Sequence, residues 1–179
     1  MNKVLNSREY KRIITRMAAE ILEKNGSCKD VAVIGIQDNG VYLADRLVKE
    51  IKKQEKIDLP LGTINISLYR DDYGKRIAKT IAPSQIDFDI NGKTIILVDD
   101  VLYTGRTVRS GIEAIFDLGR PDGIQLAVLI DREQKELPFC ADFVGRCIPV
   151  SKKETIEVMW KEKQEEDAVY IKKIGKNQL

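Results

Sequence analysis

A chain of 179 residues with 43% hydrophobic and 32% charged residues can bury a sizeable core and is too apolar for disorder. Thirty Lys+Arg against 28 Asp+Glu leave a net charge of +2, so a polyanion would have to meet a local patch rather than a basic coat. The absence of histidine excludes Ser-His-Asp and Cys-His nucleophile systems, HExxH zinc sites and histidine general bases.

In chain order, Asn6 with Glu9 reads as a capping box, with Leu5 and Tyr10 as a hydrophobic staple across it. Ile13/Ile14, Met17/Ala18 and Ile21/Leu22 then mark the apolar face of a helix that Asn25-Gly26 ends. Its opposite face carries Arg8, Lys11, Arg12 and Arg16. The run from Val31 to Ile36 suits a strand covered on both faces, and Val41, Ala44, Leu47, Val48 and Ile51 predict a second amphipathic helix. Ile64, Ile66 and Leu68 alternate with Thr63, Asn65 and Ser67, predicting a half-buried strand. From Asp71 to Ile86 the pattern dissolves into charges, Gly74 and Pro83, a length that points to a functional, flexible loop.

Asn91-Gly92 signals a tight turn. Thr94 to Val98 reads as a buried strand, followed by a helix with Val108, Ile112, Ile115 and Phe116 closed by Gly119, and by a third buried strand from Ile124 to Ile130. Alternating strands and helices predict an α/β fold with a mostly parallel sheet that binds ligands at its carboxyl edge. Val144 to Val150, Thr155 to Met159 and Ala168 to Ile171 add late strands or an appended hood, and Lys161 to Asp167 reads as a solvated turn. Cys28, Cys140 and Cys147 show no CxxC spacing and are expected as buried or half-buried free thiols in a reducing cytosol. Met1 to Arg12 is polar, and no stretch approaches the ~20 apolar residues of a membrane span. The expectation is a soluble cytoplasmic chain.

The specific segment is Ile95-Ile-Leu-Val-Asp99-Asp100-Val-Leu-Tyr-Thr104-Gly105-Arg106-Thr107. A strand delivers two adjacent carboxylates, and a short Thr/Gly loop opens a helix. Helix-start N–H groups and threonine hydroxyls cradle a phosphate, and Gly105 lets the backbone approach closely. The carboxylates are suited to accept from sugar hydroxyls, so the combination fits a sugar 5-phosphate. Neither GxxxxGK[ST] nor GxGxxG is present.

This string resembles the phosphoribosyl-pyrophosphate (PRPP) signature of the type I phosphoribosyltransferases. Leu68-Tyr-Arg-Asp-Asp72, Leu102-Tyr103, Asp117-Leu-Gly-Arg-Pro121, Ile124-Gln-Leu-Ala-Val128, Glu136-Leu-Pro138 and Ile148-Pro-Val-Ser-Lys152 are similar to one branch, the PyrR type. Its members are pyrimidine-operon attenuators that are also uracil phosphoribosyltransferases. The resemblance implies one domain with a central, mostly parallel five-stranded sheet flanked by helices and a flexible loop. A small hood would form from the N-terminal residues and about 132–165, and the assembly would be a homodimer or higher homo-oligomer.

By the same resemblance, Asp99 and Asp100 hold the ribose hydroxyls of PRPP and Thr104, Gly105, Arg106 and Thr107 its 5-phosphate, with Val101, Leu102 and Tyr103 among the PRPP- and nucleotide-binding residues. Gln37, Asp38, Asn39 and Gly40 form the pyrophosphate loop, and Arg70 reaches the pyrophosphate when the following loop closes. Asp131 and Arg132 lie beside the base, whose edge is read by backbone groups near Ile148 and Val150. Mg²⁺ is held through PRPP rather than by a metal site of the protein. Uracil and UMP are the implied base and product, and pyrimidine-leader mRNA is the implied partner of Arg8, Lys11, Arg12, Thr15 and Arg16.

Two departures stand out. The pyrophosphate loop lacks the Lys or Arg usual in this branch and carries Asp38, which predicts weaker catalysis. Ala19, Gln134 and Cys140 stand where the RNA-facing surface tends to be basic, which predicts weak RNA binding. The alternatives are transfer to another base, or an RNA-binding nucleotide sensor with little catalysis.

Overall fold

The computed structural model describes residues 1–69 and 83–174. Arg70 and most of the Asp71–Ile86 segment therefore lie outside the described residues. In chain order the elements are β1 (Asn2–Leu5), α1 (Ser7–Asn25), β2 (Val31–Ile36), α2 (Gly40–Glu55), β3 (Leu61–Ile64), β4 (Thr94–Leu102), α3 (Arg106–Leu118), β5 (Gly123–Asp131), β6 (Phe143–Cys147), β7 (Glu154–Met159) and β8 (Ala168–Lys173).

Helix α1 begins at its capping box. Asn6 Oδ1 accepts from the Arg8 and Glu9 N–H groups at 3.0 and 3.1 Å, and Glu9 Oε2 accepts from the Asn6 N–H at 3.0 Å. Leu5 and Tyr10 are both buried, and the Tyr10 ring meets Trp160 edge-on at 5.4 Å between centroids. Burial pushes the Tyr10 phenol well above its ordinary value.

Strands β3-β2-β4-β5-β6 form a parallel five-stranded sheet. All six residues of β2 are buried, because helices cover both faces. Helices α1 and α2 pack on Val33, Ile96, Val98 and Leu129, whereas α3 packs on Ile34, Ile36, Ile95 and Leu97. Successive strand residues thus serve opposite cores. A second, three-stranded sheet, β1-β8-β7, is antiparallel, and with its connecting turns it is termed the hood.

Several sequence expectations shift. The strand expected through Leu68 stops at Ile64, because Asn65 Oδ1 takes the Ser67 N–H at 2.8 Å and draws the backbone into a 3₁₀ turn that leaves Leu68 77% exposed. Phe116, at the margin of the α3 stripe, is exposed. Of the late strands, β6 joins the main sheet, while β7 and β8 pair with each other in the second. Lys161 to Asp167 is more than a solvated turn: Arg46 of α2 grips Glu162 at 2.9 and 2.7 Å and Asp167 at 2.7 Å. Cys28 is buried, with its thiol pushed up by burial, but Cys140 and Cys147 are exposed, contrary to expectation. Among the described residues no helix is long and apolar enough to cross a membrane.

The topology fixes where a ligand can enter. From β2 the chain passes through α2 to β3 on one side; from β4 it proceeds through α3 to β5 and β6 on the other. The direction reverses between β2 and β4, and open α/β sheets bind ligands in the crevice at the carboxyl ends of such a pair.

Candidate active site

Strand β4 runs four residues beyond the expected Val98. Its pairing with β2 ends at Val98, whereas its pairing with β5 continues to Leu102 opposite Asp131. Asp99 and Asp100 therefore sit where β4 has lost its β2 neighbour and flanks the crevice. Strand alternation sends them to opposite faces, Asp99 toward the α3 side and Asp100 toward the α2 side. Asp100 Oδ2 accepts from Asn39 Nδ2 at 2.8 Å, and Asp99 Oδ1 accepts from the Asp100 N–H at 2.9 Å. Burial raises the Asp100 carboxyl above its ordinary value, against the hydrogen bond from Asn39, which lowers it.

Beyond β4, residues 101–108 line a cavity of about 300 Å³. Gly105 occupies the left-handed region at φ +90, which favours glycine, and a Cβ there would crowd Phe139 Cδ2 at 3.0 Å and Leu137 Cβ at 3.2 Å. Thr104 anchors the loop, its carbonyl accepting from the Glu136 and Leu137 N–H groups at 3.0 Å each. Helix α3 starts at Gly105 with no side-chain cap and no acidic residue in its first turn. The Arg106 N–H makes a long bond to Thr104 Oγ1 at 3.3 Å, and the other first-turn N–H groups and the positive dipole end stand at the cavity and suit a phosphate. Arg106 is turned to Glu136, Nε to Oε2 at 2.9 Å. Thr107 lies in the first turn of α3.

Across the crevice, Gln37 to Gly40 join β2 to α2. The Gln37–Asp38 peptide bond is cis, and Asp38 is exposed. Gln37 accepts from Asn65 Nδ2 at 3.1 Å. Gly40 packs so tightly on β4 that a Cβ would lie 2.3 Å from the Val98 carbonyl oxygen. This contact sets the start of α2 against the acidic pair.

The residues expected around the base gather at the ends of β5 and β6, partly engaged with one another. Asp131 is buried, bonded by Lys135 Nζ at 2.9 Å and by the Glu133 N–H at 2.8 Å. The Arg132 guanidinium stacks 3.8 Å from the Tyr103 ring centroid and donates to the Glu154 carbonyl at 2.9 Å. Its buried Nε meets no acceptor among the described residues, and burial lowers its pKa. Ile148 and Val150 are buried; the Ile148 N–H is already given to the Asp131 carbonyl, and the Val150 carbonyl accepts from Gln134 Nε2.

On α1, Arg8, Lys11 and Arg12 are exposed. Arg16 and Thr15 are exposed too, but Arg16 bonds Glu20 at 2.5 Å and the Val144 and Gly145 carbonyls at 3.0 and 2.5 Å, and Thr15 donates to Glu50 at 3.1 Å. Two residues that carried no site role in the sequence analysis touch the site. Glu136 holds Arg106, and Lys163 donates to Asn39 Oδ1 at 3.3 Å. The second contact spans 124 positions, and no local pattern signals it.

Residues 1–163 match the family described as "Phosphoribosyl transferase domain". Among curated proteins, a "Bifunctional protein PyrR" of Listeria monocytogenes serotype 4b is 50% identical over 175 residues, 95% of this chain and 96% of its own. One of Caldicellulosiruptor bescii is 46% identical, with 97% and 96% covered. Among solved structures, the hypoxanthine phosphoribosyltransferase of Trypanosoma cruzi superposes with a TM-score of 0.74, covering 98% of both chains at 15% identity. A hypoxanthine-guanine phosphoribosyltransferase of Bacillus anthracis gives 0.67 at 23%, with 87% of this chain and 85% of its own covered. At such identities the fold is what is shared.

Proposed function

The chain belongs to the phosphoribosyltransferase family, in its PyrR branch, and from that premise we propose that it joins uracil to the ribose of PRPP, releasing UMP and pyrophosphate. The observation that carries this reading is the convergence at the switch point of an acidic pair, an uncapped helix start and a glycine-opened cavity. The 5-phosphate takes the N–H groups of Thr104 to Thr107, displacing the long bond between the Arg106 N–H and Thr104 Oγ1. Asp99 and Asp100, acceptors when ionised, take the ribose hydroxyls from the two sides of β4. The pyrophosphate lies toward Gln37 to Gly40, where Arg70 is its proposed partner.

The bond from the anomeric carbon to pyrophosphate breaks with the electron pair leaving on oxygen. The sugar passes through an oxocarbenium-like state, and a ring nitrogen of uracil forms the new bond while its N–H proton passes to solvent or to the departing pyrophosphate. Carboxylates held at the ribose favour the developing positive charge, and a departing pyrophosphate needs charge neutralisation more than a proton. A histidine-free site can therefore suffice through positioning and electrostatics. Mg²⁺ would be held mainly through the oxygens of PRPP, and the oxygen-only chemistry of Asp99 and Asp100 beside it suits such a hard cation. When bound, the ion supplies neutralisation of the leaving group. On the base side, the Arg132–Tyr103 stack walls the pocket, and backbone groups between Ile148 and Val150 other than the spent Ile148 N–H read the pyrimidine edge.

A second role follows from the bifunctional relatives: UMP-responsive binding of a pyrimidine-leader RNA, by a homodimer or larger homo-oligomer. Its support in this chain is the exposed trio Arg8, Lys11 and Arg12, with Arg16 and Thr15 committed elsewhere. A pyrophosphate-release assay with PRPP and each of uracil, hypoxanthine, guanine and orotate tests the first role. Turnover with uracil alone is expected, and turnover with a purine alone would overturn the base assignment.

A further inference from the structure

The pyrophosphate loop poses an electrostatic problem. Its exposed side chain is an acid, Asp38, and the nearest strand end supplies two more, Asp99 and Asp100. A pyrophosphate bound between them needs a cation, and Gln37 to Gly40 contain none. The hood brings one in. Lys163 lies in the turn between β7 and β8, with its Nζ 3.3 Å from Asn39 Oδ1 and 5.2 Å from the centroid of the Tyr42 ring, at the first turn of α2.

The turn that carries this lysine is fixed from several sides. The Lys163 and Gln164 N–H groups both donate to the Trp160 carbonyl at 2.9 Å, and the Trp160 N–H donates to Gln164 Oε1 at 3.0 Å. Arg46, further along α2, clamps Glu162 and Asp167 on either side of it. The lysine is thus held over the start of α2 by contacts that do not involve its own ammonium. Asn39 is in turn tied to Asp100, so one amide bridges the ammonium and the carboxylate. Helix α2 has no side-chain cap and no acidic residue in its first turn, so its positive dipole end stands beside the ammonium, although the Tyr42 N–H is already given to the Asn39 carbonyl at 3.1 Å.

We propose that Lys163 is a pyrophosphate-binding cation of this site beside Arg70, delivered from the hood in place of the cation absent from the loop. This rests on the transferase reading above. On binding, the ammonium exchanges a long bond to a neutral amide oxygen for a charge-assisted one to a pyrophosphate oxygen. It offsets Asp38 and adds to the open helix start.

The test compares wild type with Lys163→Ala, Lys163→Arg and Lys161→Ala, the last a control in the same turn. The readouts are KM for PRPP, equilibrium affinity for inorganic pyrophosphate and for UMP, and melting temperature. Lys163→Ala is expected to weaken PRPP and pyrophosphate about tenfold, the effect of losing one charged hydrogen bond. It should leave UMP affinity and melting unchanged, because UMP carries only the 5-phosphate. Lys163→Arg should restore most of the loss, and Lys161→Ala should change none of these. Unaltered PRPP and pyrophosphate affinities in Lys163→Ala, with wild type turning over, would overturn the role of Lys163 alone. Parallel losses in UMP affinity and melting would overturn it in favour of a structural clamp. A wild type that neither uses PRPP with any base nor binds pyrophosphate would overturn the transferase reading and Lys163 together.

Discussion

Replacing Asp100 by asparagine separates the activity of the acidic pair from its contribution to stability. The side chain is half-buried and receives the Asn39 amide at 2.8 Å, a bond that the carbonyl oxygen of the new side chain can also accept. Burial raises the carboxyl's pKa, so the folded protein holds its proton more tightly than the unfolded chain, whose value is about 3.9. The sign follows from linkage. Any stabilisation from protonated Asp100 is fully present below the unfolded value and is lost as pH rises through the folded one. At neutral pH the ionised group is then a net burden on the fold. Asp100→Asn is expected to melt at or above wild type at neutral pH, and the difference should shrink toward zero in acid. For a chain of this length, each kcal/mol recovered is about 2–4 °C. Removing a charge positioned at the ribose should lower kcat/KM by roughly 10²–10³-fold. Melting curves across pH and initial rates of pyrophosphate release, taken on one preparation, decide the matter. Full activity in the variant would make the pair structural, and a neutral-pH melting loss of more than about 4 °C would show that the ionised carboxylate stabilises the fold.

Three further outcomes follow from packing and charge. Gly40→Ala forces a Cβ to 2.3 Å from the Val98 oxygen and should cost more than about 2 kcal/mol in urea unfolding, whereas Gly123→Ala, with nothing within 4 Å, should stay within about 0.5 kcal/mol. Asn6→Ala removes the capping box of α1 and should cost about 1 kcal/mol in the same experiment without changing KM for PRPP. In filter binding of a pyrimidine-leader RNA with UMP present, Lys11→Ala and Arg12→Ala should each reduce the slope of log affinity against log salt by roughly 0.7–0.9, while Arg16→Ala should leave the slope unchanged and lower stability instead. Equal slopes for all three variants would remove α1 from the RNA surface.

What the sequence made legible is local. The capping box spans four residues, the buried strands are short apolar runs, and the acidic pair, the glycine and the helix start lie within one unbroken string from Ile95 to Thr107. Such features specify themselves through neighbouring backbone groups, so they survive reading without a fold. The alternation from Thr63 to Leu68 misled because period 2 describes side chains, whereas the Asn65 amide decided the backbone. The opposite facing of Asp99 and Asp100 was implicit in strand geometry, but it required knowing that β4 continues past the end of β2. The fates of the charges were hidden for another reason. Arg16 reads as one of four cations on a solvated face, yet the edge of β6, more than a hundred residues away, claims it.

The same non-locality bears on how the site is balanced. Read along the chain, Gln37-Asp38-Asn39-Gly40 is a loop ill suited to an anion, and weak catalysis is the natural expectation. In the fold, the hood turn lies over that loop and Lys163 stands at Asn39. A charge deficit in one segment can be corrected by any segment the topology brings within a few ångströms. The two descriptions predict different kinetics. If the loop alone governs pyrophosphate binding, neutralising Asp38 should strengthen PRPP binding whatever residue stands at 163. If the hood lysine offsets it, Asp38→Asn should help little in wild type and markedly in Lys163→Ala, and the double-mutant cycle should show a coupling of at least about 0.5 kcal/mol. Strict additivity would mean that the two charges do not share a ligand.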